Sequence, residues 1–191
     1  MRCTQCDFDS PDEMKFCGER ALAGQGQSEA GLECVHTGLA GWQATGAEVA
    51  LPHFFALQAE IHSRDEHVGE GLTRLDEALS VVEKNGERYY EAELYRMKGD
   101  FLIQQAKIAY PQSPTPSPQA EEYFLRAIEV AQEQKAKFWE LRATTSLGRL
   151  WHEQGRGVEA RPMIQEIHDW FTEGFGTADL QEAKALLDTL P

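Results

Sequence analysis

The sequence predicts an all-α fold: a solenoid of about three helix pairs closed by a further C-terminal helix. Three observations carry this. Beyond residue 45, apolar residues recur at i, i+3, i+4 and i+7, the spacing of one helix face, and no convincing alternating strand pattern is present. The small residues Ala59 in ALQAEIH, Gly99 in RMKGDFL and Gly148 in TSLGRLW recur at intervals of 40 and 49. The Pro-rich stretch YPQSPTPSPQ at residues 110–119 supplies the nine extra residues of the longer interval.

Once that insertion is allowed for, several independent positions fall into register. Gly71, Ala120 and Ala160 are the small residues of the helix that follows each marker. Four residues further stand the large apolar Leu75, Phe124 and Ile164, and seven further Ala78, Ala127 and Ile167. The junctions ATGAE, KNGER and QKAKF align Gly46, Gly86 and Lys135. A small residue on the first helix lets the second approach closely, and the large residue on the second fills the space. These offsets resemble those of the tetratricopeptide repeat, with a basic period of 40 instead of about 34 and correspondingly longer helices.

Residues 37–45 read as the end of a helix closed by Gly46. The first repeat spans roughly 48–64 and 67–84, the second 88–109 and 118–134, the third 137–154 and 156–171. The last helix, at about 178–189, is expected to cover the open face of the third repeat as solenoid caps do, with Thr177 as N-cap and Asp179 in its first turn. Pro111, Pro114, Pro116 and Pro118 favour an extended, solvated spacer.

The 191 residues carry a formal net charge of −14. So acidic a surface repels phosphate backbones and anionic lipid heads, which disfavours nucleic-acid and membrane partners. No apolar run approaches the roughly 18–20 residues that span a bilayer. The polar opening shows no apolar leader, and the cysteine usage suits a reducing cytoplasm.

The opening MRCTQCDFDSPDEMKFCGER has Cys3-x2-Cys6 and then Cys17, with Arg20 where a second C-x-x-C would end. Structural zinc takes four ligands, and three are here. Cys34 and His36, in GLECVHTG, are the candidates for the fourth, across the Gly-rich stretch 21–33. Two readings stand. Zinc is held by Cys3, Cys6 and Cys17 with Cys34, His36 or water, or the segment is a degenerate ribbon without metal. Residues 1–20 are therefore assigned to a degenerate zinc-ribbon-like segment, 21–36 to a flexible Gly-rich linker, and 37–191 to the helical repeat domain.

The stretches NGERYYEAELYRMKGDFLIQQ, AKFWELRATTSLGRLWHEQGR and WFTEGFGTADLQEAKALLDTL resemble the C-terminal repeat region of bacterial signalling proteins. Those proteins join a class III adenylate/guanylate cyclase domain, an AAA-type ATPase domain and a tetratricopeptide-like tail. The resemblance covers about residues 38–191, and the Cys-containing opening resembles the zinc-ribbon start of the same proteins. Arg20 departs from that family's fourth cysteine. No G-x-x-x-x-G-K-[ST] phosphate loop is present, and residues 20–45 leave no space for a cyclase domain. The family's catalytic activities therefore do not carry over. The resemblance implies a noncatalytic protein–protein interaction scaffold, or alternatively a truncated remnant without independent activity.

By the repeat register, the inner face of the first helix of each pair carries Arg64, then Arg96 and Asp100, then Arg142, Arg149 and His152. Two readings follow. These arginines form a groove for an acidic peptide or a carboxylate, or they pair with Glu60, Glu93, Asp100 and Glu153 and leave a neutral face. His62 and His67 flank SRDE and form no H-E-x-x-H motif, and His62, which shares a repeat register with Trp151, is read as a partly buried packing residue rather than a ligand. Trp139, Trp151 and Trp170 are expected in the core. Leu39, Trp42 and Val49 are expected on an under-covered edge available to a protein partner or to self-association.

Overall fold

The computed structural model describes residues 28–46, 49–64, 67–111 and 118–191, and Cys3, Cys6, Cys17 and Arg20 lie outside them. Among the described residues there are eight helices and no strand. The chain divides into two compact units, Met1–Glu87 and Arg88–Pro191. The first contains α1 (Ser28–Ala44), α2 (Leu51–Arg64) and α3 (Val68–Asn85). The second contains α4 (Glu91–Ala109), α5 (Pro118–Glu133), α6 (Lys137–Glu153), α7 (Gly157–Asp169) and α8 (Ala178–Thr189). The second unit starts two residues after Gly86, at the boundary between the first and second repeats.

Helix α1 begins at Ser28, not near residue 37, so residues 28–36 of the expected flexible linker are helical. The reason is an apolar stripe. Leu32, Val35, Leu39 and Trp42 lie three or four residues apart and pack against Phe54, Leu57 and Ile61 of α2. Each glycine in a helix costs roughly 0.5–1 kcal/mol. A buried Val or Leu returns about 1.5–3 kcal/mol, so packing wins over composition. Leu39 and Trp42 are therefore turned onto α2, which corrects their assignment to an open edge, and Val49 alone of that trio is exposed. The Trp42 indole N–H donates to the Val49 carbonyl at 2.7 Å, and the Ala50 N–H donates to Glu87 Oε1 at 2.6 Å. These bonds tie Val49 to α1 and Ala50 to Glu87.

Helices α2 and α3 form the first repeat, with Ala59, Gly71, Leu75 and Ala78 buried. In the second unit the register positions meet directly. A Cβ added at Gly99 would stand 2.4, 2.7 and 2.8 Å from three ring atoms of Phe124. One added at Gly148 would stand 2.4 Å from Ile164 Cδ1. Phe124 and Ile164 are the two residues that the repeat register places in the same slot, and both are fully buried. Helix α8 closes the core with Leu180, Ala183, Leu186 and Leu187, followed by Leu190.

The junction positions also obey the register. Gly46, Gly86 and Lys135 all take left-handed backbone, at φ 78°, 74° and 55°. At Gly86 this lets the N–H cap the Val82 carbonyl at 2.9 Å. Pro118 stands at the first position of α5, where proline needs no donor. Trp151 is core, Trp139 is half-buried against Tyr90, and Trp170 is exposed just beyond α7. Trp170 thus departs from the expected core placement because it follows the last helical turn and stacks edge-on against Phe171.

The two glycine contacts differ in what would have to move. A fully buried ring cannot yield, whereas Ile164 Cδ1 ends a flexible side chain. Gly99→Ala should lower stability by about 1–3 kcal/mol, as overpacked cores do. Gly148→Ala should stay within about 1 kcal/mol of wild type, because alanine's better helix propensity offsets the shift of Ile164. Gly148→Leu should again cost about 1–3 kcal/mol or more. Urea denaturation reads all three, and Phe124→Leu should restore part of the Gly99→Ala loss. At the third junction, Lys135→Gly should raise stability by up to about 1 kcal/mol, since left-handed backbone costs a non-glycine residue about 1–2 kcal/mol.

Candidate functional site in the second unit

Four of the predicted inner-face residues, Arg96, Asp100, Arg142 and Arg149, come together in the second unit. On α4, Glu93, Arg96 and Asp100 are three and four residues apart and share one face. On α6, Arg142, Thr145 and Arg149 do the same. The first turn of α8 adds Asp179, and the next turn adds Glu182. Arg64 lies in the first unit, exposed at the last residue of α2. His152 is exposed in the last turn of α6.

Glu93 is the centre of this face. Only 2 % exposed, it accepts two hydrogen bonds from Arg96, Nε to Oε2 and Nη2 to Oε1, both at 2.8 Å. It accepts a third from Arg142 Nη2, also at 2.8 Å. Arg96 Nη1 reaches Asp100 and, at 3.4 Å, the Ser146 hydroxyl. Arg142 Nη1 is 3.3 Å from Asp179, and Arg149 Nη2 donates to Glu182. Burial alone would lower the Arg96 pKa, but the carboxylates of Glu93 and Asp100 reverse this and hold the guanidinium above its ordinary value. Burial raises the Asp100 carboxyl above its ordinary value, against the pull of Arg96 and with the repulsion of Glu93 adding to it.

Three guanidinium groups thus meet four carboxylates, and the depression left among them has a volume of about 40 Å³. That is room for a few water molecules, not for a peptide side chain. The pairing acids are Glu93, Asp100, Asp179 and Glu182. Of the others expected, Glu153 instead lies 3.2 Å from Lys107, and Glu60 belongs to the first unit. Sequence reasoning missed Asp179 and Glu182 as partners of the arginines. The available signal was the position of both acids near the start of a helix already read as a cap.

A second feature borders this face. Tyr89 and Tyr90, before α4, lead into Trp139 and Phe138 at the start of α6. The ring centroids are spaced 5.7, 5.3 and 5.4 Å along the series Tyr89–Tyr90–Trp139–Phe138. Arg142 lies over the last two rings, 5.7 Å from Trp139 and 5.9 Å from Phe138. Tyr89 and Phe138 are 48 % and 43 % exposed.

Of the zinc candidates, Cys34 is a half-buried free thiol on α1, and His36 is exposed on the same helix. No helix among the described residues is long and apolar enough to cross a membrane.

Glu93→Gln should destabilise by up to about 3–5 kcal/mol, because Arg96 and Arg142 lose their shared buried carboxylate and keep only the more exposed Asp100 and Asp179. Asp100→Asn removes the charge from a side chain that is 40 % exposed and should cost at most about 1 kcal/mol. The raised Asp100 pKa means that the native state takes up a proton before the unfolded chain does. Stability should therefore fall as pH climbs from the ordinary value of 3.8 through the raised one. Denaturation of Asp100→Asn over that range should lack this component.

No protein-family model matches the chain, and no curated protein matches it. Solved structures do. Two crystal structures of a kinesin-light-chain-like protein from Podosopora anserina, with nearly identical TPR-like repeats, are similar to this chain at 12% identity. One has a TM-score of 0.62 over 94% of this chain and 86% of that one. The other has a TM-score of 0.61 over 88% and 80%. The chain therefore has the fold of tetratricopeptide-like helical repeats.

Proposed function

We propose that the chain is a noncatalytic protein–protein interaction scaffold whose docking surface is the aromatic edge of its second unit. The observation that carries this reading is the row Tyr89–Tyr90–Trp139–Phe138 with Arg142 above it. Aromatic side chains and arginine are the residues that dominate binding energy at protein interfaces. Tyr and Phe offer large contact areas at small entropic cost. The neighbouring arginine face is a poorer candidate, because its cations are already neutralised within the fold. The fold supports the same reading, since stacked helix pairs present extended surfaces that bind other proteins.

The aromatics stand within NGERYYEAELY and AKFWELR, two of the stretches that resemble the repeat tail of bacterial cyclase–ATPase signalling proteins. We place the scaffold in that setting, as a cytoplasmic signalling module. The test is a photo-crosslinking phenylalanine analogue incorporated at position 138 in the source cell. One discrete adduct should form, and its yield should fall at least tenfold with Tyr89→Ala. Equal and diffuse crosslinking from position 138 and from the exposed Leu125 would overturn the proposal.

A further inference from the structure

Where α2 ends and α3 begins, three side chains come together, among them His62, which the repeat register alone casts as a packing residue. His62 lies in the last turn of α2, His67 precedes α3, and Glu70 is in its first turn. One ligand atom from each lies within 4.8 Å of the others. His62 Nδ1 is already 3.1 Å from Glu70 Oε2. The backbone holds the three in place. The His67 N–H donates to the His62 carbonyl at 3.0 Å, and the Glu70 and Gly71 N–H groups donate to the His67 carbonyl at 3.0 and 3.1 Å. His62 is 14 % exposed, whereas His67 and Glu70 are open to solvent.

The third repeat shows what these positions are built to do. Its counterparts lie 89 residues on, at Trp151, Arg156 and Glu159. There too the three side chains meet: the Arg156 guanidinium lies 4.3 Å from the centre of the Trp151 ring and pairs with both Glu159 oxygens at 3.1 and 3.0 Å. The turn geometry therefore converges these three positions in both places. In the third repeat, a guanidinium supplies a positive charge between an aromatic ring and two carboxylates, Glu159 and Glu121 of α5. In the first, the same positions carry two imidazoles and a carboxylate, groups whose chemistry suits metal ligation.

We infer that His62, His67 and Glu70 bind a divalent transition-metal ion, with zinc the best fit. Two histidines and one carboxylate suit Zn²⁺ among the biologically common ions, at bond lengths of about 2.0–2.2 Å. A tetrahedral ion with such bonds spaces its ligand atoms about 3.3 Å apart. The His62–Glu70 separation already matches, and His67 closes the rest by moving an exposed side chain. The fourth position opens onto a cavity of about 580 Å³, lined by His36, Thr73 and Arg74 along with His62 and Glu70. Water or a small anion completes the coordination from that side.

This site is separate in sequence from Cys3, Cys6 and Cys17, so the test removes those first. In the full chain carrying Cys3→Ser, Cys6→Ser and Cys17→Ser, Co²⁺ titration should produce visible d–d absorption that saturates at one equivalent. Zn²⁺ should abolish it. His62→Asn and Glu70→Gln should each weaken binding at least tenfold. His67→Arg installs the residue of the third repeat, so it should keep the fold, read by circular dichroism, while eliminating the absorption. His152→Asn should change nothing. An unchanged Co²⁺ spectrum in the folded His67→Arg variant, or no saturable absorption in the chain lacking Cys3, Cys6 and Cys17, would overturn the assignment.

Discussion

The structure depends on how closely the two helices of a repeat can approach. At Gly99 and Gly148 there is less than a carbon's width between one backbone and the side chain packed on it. That contact sets the positions of Phe124 and Ile164, which are at the centre of the core of the second unit. With the hairpins fixed, the inner faces of α4 and α6 are fixed too, and the arginines on them have few places to go. The charged network is thus a consequence of apolar packing, assembled on helices that were placed by other contacts.

The network is costly to desolvate, and it stays together because every member is paired. Arg96 forms a fork with Glu93 that satisfies both oxygens of a nearly inaccessible carboxylate. Such a pair adds little net stability over a well-packed apolar substitute, yet removing one half leaves a buried charge. The practical consequence concerns recognition. A ligand seeking these arginines must compete with Asp179 and Glu182 on α8, carboxylates held at high local concentration. The aromatic edge meets no such competitor, since Tyr89 and Phe138 already present ring surface to water.

The parts legible in the sequence were those that repeat. Ala59, Gly99 and Gly148 mark helix pairs because a side chain at those points would collide with the partner, so their spacing records the architecture. Gly46, Gly86 and Lys135 were legible as equivalent, and all three share left-handed backbone even though one is a lysine. What escaped was decided by distant contacts or by packing that outweighs composition. The residues before 37 looked too rich in glycine for a helix, yet four apolar side chains at the right spacing hold one there. Arg142 gave no hint of Asp179, 37 residues away, because pairing across helices leaves no periodic trace. Trp170 looked like core by residue type and failed by position, one residue past the end of its helix.

The repeat separates what must be kept from what is free to vary. The interlocking positions restrict size, most strictly at Gly99, where a buried ring lies against the backbone, and less so at Gly148, where the end of Ile164 does. The end of the first helix in the first and third repeats is under a different constraint: it fixes where three side chains converge but not what they are. Trp151, Arg156 and Glu159 use that convergence to hold a cation that is part of the chain. His62, His67 and Glu70 occupy the same geometry with ligands in place of a guanidinium. Carboxylate chemistry is common to both turns, and the two other positions decide whether the positive charge is covalently supplied or taken from solution. A motif search along the sequence cannot see this, because H-x4-H-x2-E has no fixed meaning in an extended chain. It acquires one only when a helix ends after His62 and the next begins after His67.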